Sequence, residues 1–154
     1  MKLERVFQMP NHKTFEMKVV KDLINSERNI GFEFDAFLHP YKLDALELMK
    51  QIGTEQVSFG LYDPPYSQYQ LAKMYKNKDE SWKGNGHYFK LVDSEWDRIV
   101  SAGGKVIKFG WNSKRISKNF EIIRIMLINH GAQHNDTIVT VQKKTQTTLG
   151  DKGI

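Results

Sequence analysis

Val57 to Tyr62 is a short apolar run, and it leads without a break into Asp63-Pro64-Pro65-Tyr66. The run reads as a buried strand. Two consecutive prolines fix two φ angles and remove two backbone donors, so no ladder continues through them. The chain must therefore leave a sheet abruptly at Asp63. Open α/β sheets bind ligands outside the carboxyl ends of their strands, which is where this polar segment falls. A simple turn is the plainer reading, since Asp-Pro starts turns and Pro-Pro is common in loops.

Helical and extended patterns alternate along the rest of the chain. Thr14 to Glu27 reads as a helix capped by Thr14, with Val19, Val20, Leu23 and Ile24 on one face. Asn29 to Phe37 is a plausible strand around Phe32, Phe34 and Phe37. Asp44 to Ile52 is a second helix, with Asp44 as cap, Glu47 three residues on and Gly53 past its end. A helix over Ser67 to Tyr75 and a polar loop over Lys76 to His87 follow. Leu91 to Ala102 is amphipathic and stopped by Gly103-Gly104. Lys105 to Phe109, Phe120 to Asn129 and Thr137 to Lys143 are strands, the last two joined as an antiparallel hairpin. This alternation predicts a parallel sheet covered on both faces, closed by one antiparallel edge strand. Residues 1–144 form one domain, and residues 145–154 are polar and unpatterned enough to be a loose tail.

Of the 154 residues, 40% are hydrophobic and 12% aromatic, enough for a packed core. With no cysteine there is no disulfide framework and no thiolate zinc site. No apolar run reaches the ~18 residues of a membrane span. A soluble cytoplasmic protein is expected. The net charge of +5 permits an anionic partner, but acids and bases are interspersed nearly everywhere.

The two prolines leave rigid carbonyl acceptors beside the Asp63 carboxylate and the Tyr66 ring. That set suits a flat heterocycle with an exocyclic amine, which Asp63 and a proline carbonyl would accept while Tyr66 stacks. Trp111-Asn112-Ser113 leaves the next strand at the same sheet edge, and Lys114, Arg115 and Lys118 form the densest positive cluster. Phosphate contact and a solvated loop are both open for that cluster. Trp82 and His87 lie among Gly and Lys, a stacking-plus-charge composition that also fits a plain loop. His130 and His134 flank a turn with no third ligand in reach, so no metal site is expected.

Asp63-Pro64-Pro65-Tyr66 matches the DPPY motif of adenine-N6 DNA methyltransferases. Around it, Met9-Pro10-Asn11 with Thr14-Phe15, and Leu43 to Glu47, resemble short methylase-like proteins encoded by phages and mobile elements. So do Gly103 to Ile107 with Phe109 to Ser113, and His130-Gly131 with His134 to Ile138. The resemblance covers about Met9 to Lys144 with one gap. It implies a Rossmann-like class I methyltransferase fold using S-adenosylmethionine on an adenine flipped from DNA. It also implies Asp63, Pro64, Pro65 and Tyr66 as catalytic segment, and Asp35, Phe37 and Asp44 as cofactor contacts. Trp111, Asn112, Ser113, Lys114, Arg115 and Trp82 would face base or DNA.

The gap lies between Asp35 and Asp44, where only Leu38 to Leu43 separate Phe37 from Asp44. A strand–helix–strand crossover needs ~10–12 residues. The fold is therefore expected to be truncated in its N-terminal half, with part of the cofactor cradle missing. Two functions stay open. One is an active methyltransferase of host cytoplasm. The other is a degenerate methyltransferase-like module that binds DNA or a host defence protein without productive cofactor binding. Homo-oligomerisation would allow a neighbour to complete the pocket.

Overall fold

The computed structural model describes residues 1–9, 14–37, 44–64, 87–131 and 135–145. The expected helix Ser67 to Tyr75, nearly all of the Lys76 to His87 loop, and residues 146–154 of the expected tail lie outside these, as do Pro65, Tyr66, Trp82 and His134.

The described residues form one six-stranded sheet in the order β1-β5-β6-β4-β3-β2. In chain order the strands are β1 (Lys2–Phe7), β2 (Glu33–Asp35), β3 (Val57–Tyr62), β4 (Val100–Gly110), β5 (Phe120–Asn129) and β6 (Thr137–Lys144). Five run the same way; β6 alone is antiparallel, to β4 on one side and β5 on the other. The mostly parallel α/β sheet with an antiparallel C-terminal hairpin is thus as expected. β6 is not an edge strand, however: it is inserted between β4 and β5, and the edge beyond β5 belongs to β1. Strand β1 was not foreseen, because Lys2, Glu4 and Arg5 dilute its apolar signal.

Helix α1 (Lys18–Glu27) covers one face, burying Val20, Leu23 and Ile24 against Phe59, Ile107, Phe109, Ile128 and Val139. Helices α2 (Ala45–Lys50) and α3 (His87–Ile99) cover the other, where Met49, Val92, Trp96 and Ile99 meet Phe34, Tyr62 and Val106. Strand alternation divides β3 between these layers: Phe59 and Leu61 face α1, while Tyr62 faces α3. Gly60 is required by packing, since a Cβ there would lie 2.4 Å from Trp96 Cζ3.

Several local expectations are corrected. Thr14 does not cap α1; Thr14–Glu16 is a 3₁₀ turn, and the cap position is Met17, with no side-chain cap bond. Asn29 to Phe37 contributes only the three residues of β2. α3 ends at Ile99 rather than at Ala102, and Val100 already opens β4. Val100 fits either apolar pattern, and its pairing to Val57 decides for the strand. Gly103 sits at φ +81°, inside β4 rather than after a helix. Asp44 does cap α2, its Oδ1 accepting from the Leu46 N–H at 2.8 Å. Gly53 is not the left-handed residue after that helix, which closes at Gln51. On the side of β3 away from β4, the described residues hold only β2, consistent with a shortened N-terminal half.

Candidate functional site

β2, β3 and β4 are mutually parallel, so their carboxyl ends open on one rim. Asp35 ends β2, Asp63-Pro64 leaves β3, and Trp111-Asn112 leaves β4. Because β3 lies between β2 and β4, Asp63 exits an internal strand. The sequence placed Asp63, Trp111 and Asn112 at one edge, and the topology does so as well.

Asp35 is largely withdrawn from water. Burial raises its carboxyl to about 6, the Phe37 N–H hydrogen bond at 3.1 Å pulls down, and the neighbouring Asp63 and Glu33 charges push further up. Asp63 and Asp35 are therefore within electrostatic reach, two carboxylates sharing one end of the sheet. A pair of that kind fits a cationic group. Phe37 is buried, its ring stacked on Tyr62 at 6.0 Å and 7°. Asp44 caps α2, its Oδ1 also accepting from the Tyr88 hydroxyl at 3.0 Å, which ties α2 to α3.

Beside Pro64 lies a cleft of about 280 Å³, lined by Tyr62, Phe89, Asp93, Lys108, Trp111 and Asn112 among others. Its floor was not anticipated from sequence. The buried Tyr62 donates its hydroxyl to Asp93 Oδ1 at 2.9 Å, and Lys108 Nζ lies 5.4 Å from the centre of the Tyr62 ring. Burial drives the Asp93 carboxyl up, against the pull of Lys108, the Tyr62 hydroxyl and Lys114. Burial likewise drives the Lys108 ammonium below its usual range, against the pull of Asp93. For Tyr62, burial and then the Asp93 charge push the phenol well above 10. One available signal was Lys108 itself, a cation set directly between the apolar Ile107 and Phe109.

The segment after β4 is a loop. Asn112 Oδ1 accepts from the Lys114 N–H at 2.9 Å, which turns the chain. Trp111, Asn112, Ser113, Lys114 and Arg115 are all exposed, and Trp111, Asn112 and Lys114 border the cleft. Arg115 Nη1 reaches back to the Phe120 carbonyl at 3.4 Å. A second, shallower hollow of about 550 Å³ lies between α1 and β2 and includes Arg28, Glu33, Asp35 and Leu61. His130 is fully engaged in joining β1 to the hairpin, through Gln8 O at 2.9 Å and Thr137 Oγ1 at 2.8 Å. Among the described residues no cluster of His, Asp or Glu could hold a metal ion, and no helix is long and apolar enough to cross a membrane.

No family model matches the chain, and no curated protein sequence matches it. Solved structures similar in shape include the following three. A candidate type 11 methyltransferase from Sulfolobus solfataricus aligns over 96% of this chain and 86% of its own, with TM-score 0.40 and 14% identity. The candidate methyltransferase yhhF from Escherichia coli aligns over 93% and 76%, with TM-score 0.39 and 9% identity. The protein PH0851 aligns over 91% of this chain and 36% of its own, with TM-score 0.45 and 12% identity.

Proposed function

We propose that this chain is an S-adenosylmethionine-dependent adenine-N6 DNA methyltransferase of the phage and mobile-element type, built as one domain over residues 1–144. The observation that carries the proposal is the exit of Asp63-Pro64 from an internal parallel strand, beside Asp35 and against an aromatic cleft. Asp35 and Asp63 concentrate negative charge where a cationic cofactor would lie, and Asp44 would approach it from α2. Bound there, the cofactor would supply an electrophilic methyl group on sulfonium. The protein's part is orientation. Asp63 accepts one N6 hydrogen and a proline carbonyl the other, which turns the nitrogen lone pair toward the methyl carbon. Hydrogen bonds to a charged group are worth ~1.5–3 kcal/mol each, and holding the reactants aligned adds the larger, entropic share. Trp111 offers a flat wall to an extruded base, while Lys114 and Arg115 offer charge to phosphates.

One observation favours a second reading, a methyltransferase-like binding module. β2 is only three residues long and is the sole strand described on its side of β3, so the cofactor's usual cradle is shortened. Such a module would engage DNA or a host defence protein. Calorimetric titration with S-adenosylmethionine, run with a measurement of oligomeric state, separates the two. Binding below millimolar together with tritiated methyl transfer to adenine-rich DNA supports the enzyme. Absence of both in monomer and oligomer alike leaves the binding module.

A further inference from the structure

Lys108 is the least satisfied charge described at the rim of the sheet. Its ammonium is half-buried, and its described hydrogen bond is a long one, 3.5 Å to the Lys114 carbonyl. Asp93 acts on it electrostatically, but no ion pair joins the two among the described residues, and Asp93 Oδ1 accepts from the Tyr62 hydroxyl. An ammonium carries three donors, and one removed from water is costly until acceptors meet them. The Tyr62 ring beneath holds the group in place without supplying an acceptor. The open side of the ammonium is the cleft shared with Pro64, Phe89 and Trp111.

Resting on the adenine reading above, we propose that Lys108 is the specificity-determining donor of this cleft. It would hydrogen-bond the ring nitrogen beside the amine held at Asp63-Pro64. Adenine N1 and cytosine N3 are such acceptors. Guanine N1 and thymine N3 carry hydrogens, so they would set donor against donor, and their adjacent carbonyl oxygens would face the carbonyl of Pro64. The selection is thus partly repulsive. Asp93 is a positioning residue, acting through Tyr62 and through its pull on the ammonium.

The test uses full-length protein labelled with 5-fluorotryptophan, the Trp111 signal being assigned from Trp111→Phe. Wild type, Lys108→Met and Lys108→Gln are titrated by ¹⁹F NMR with 9-methyladenine, its 1-deaza and 7-deaza analogues, and 9-ethylguanine. Thermal unfolding of each variant confirms that it is folded. In wild type, 9-methyladenine and the 7-deaza analogue should bind alike, with the 1-deaza analogue and 9-ethylguanine weaker by about 10-fold or more. Lys108→Met should bring 9-methyladenine down to the level of the 1-deaza analogue and leave that analogue unchanged. Lys108→Gln, which keeps a donor, should restore part of the difference. Equal weakening of all ligands by Lys108→Met, a preference for 9-ethylguanine, or no shift at Trp111 overturns the proposal. The methylation assay keeps the two ideas separate. Methyl transfer without this selectivity sinks the role of Lys108 alone, and selectivity without transfer sinks the enzyme alone.

Discussion

At one flank of the sheet, β1, β5 and β6 pair over most of their lengths, and their charges are answered. Arg124 bonds Glu4 Oε1 at 2.6 Å through Nε and Glu27 Oε1 at 3.1 Å through Nη1, and Lys105 Nζ takes Glu27 Oε2 at 3.0 Å. That network joins β1, β5, β4 and α1. At the opposite flank β2 has three residues, and Asp35 has like charges as neighbours and holds its proton up to about pH 6. Stability is invested where the chain needs an edge. The like-charged carboxylates Asp35 and Asp63 sit where the proposed chemistry needs a cation. Sites commonly carry such local costs, offset elsewhere in the fold.

The comparison is tested most severely by Trp96→Ala. Trp96 is fully buried and packs against Phe34, Tyr62 and Gly60, so the cavity should cost about 3–5 kcal/mol in urea unfolding. Amide exchange should then quicken in β2 and β3 before β1 and β5. The reverse order would break the contrast between the flanks. Arg124→Met should cost about 2–4 kcal/mol at pH 7, because Glu4 and Glu27 lose a partly buried partner. Burial tends to raise the Glu27 carboxyl, but its bonds to Lys105 and Arg124 outweigh that and hold it below 4.5. The stabilisation from this network is therefore present above pH 4.5 and fades as pH falls through the lowered value. An Arg124→Met penalty that persists unchanged at pH 3 would contradict it.

Asp63→Ala should leave stability within about 0.5 kcal/mol and lower methyl transfer by about 10- to 100-fold, with the loss in turnover more than in binding. Unfolding curves and tritium counts on the same preparation read both. The smallest effect has the opposite sign. A carboxyl raised from 3.8 to about 6 favours the folded state fully below pH 3.8, and that advantage is lost as pH rises through 6. Asp35→Asn keeps an acceptor for the Phe37 N–H and removes the charge, so it should stabilise by about 1–2 kcal/mol at pH 7 and by nothing near pH 3. A destabilised Asn variant at pH 7 would show that Asp35 is paid for by a partner, and the contrast between flanks would narrow.

These expectations rest on features of unequal visibility in the sequence. The β3 exit was legible because an apolar run and two prolines act locally. The hairpin was legible because β5 and β6 are close in sequence and rich in branched residues. β1 was not, since its described strand partner, β5, lies over a hundred residues away and its own alternation is blurred by charges. The junction of α3 and β4 was misplaced because no turn residue marks it, and only tertiary pairing ends the helix. Asp63, Trp111 and Asn112 were placed at one rim from their positions at strand ends, whereas Asp35 was singled out only through the resemblance. Asp93 and Lys108 were not singled out, because α3 must pack on β3 and β4 must pair with β3 before they meet Tyr62.

The pairing of β1 with β5 also sets a clock. Lys2 and its neighbours are made about 120 residues before their partners around Arg124. At ~5–20 residues per second, β1 waits on the order of 6–24 s for β5, its strand partner among the described residues. Leu3 and Phe7 are well exposed even in the finished fold, so throughout that wait the segment is a sticky, unpaired ribbon. Lys2, Glu4 and Arg5, the same charges that hid the strand in the sequence, keep it soluble until its partner arrives.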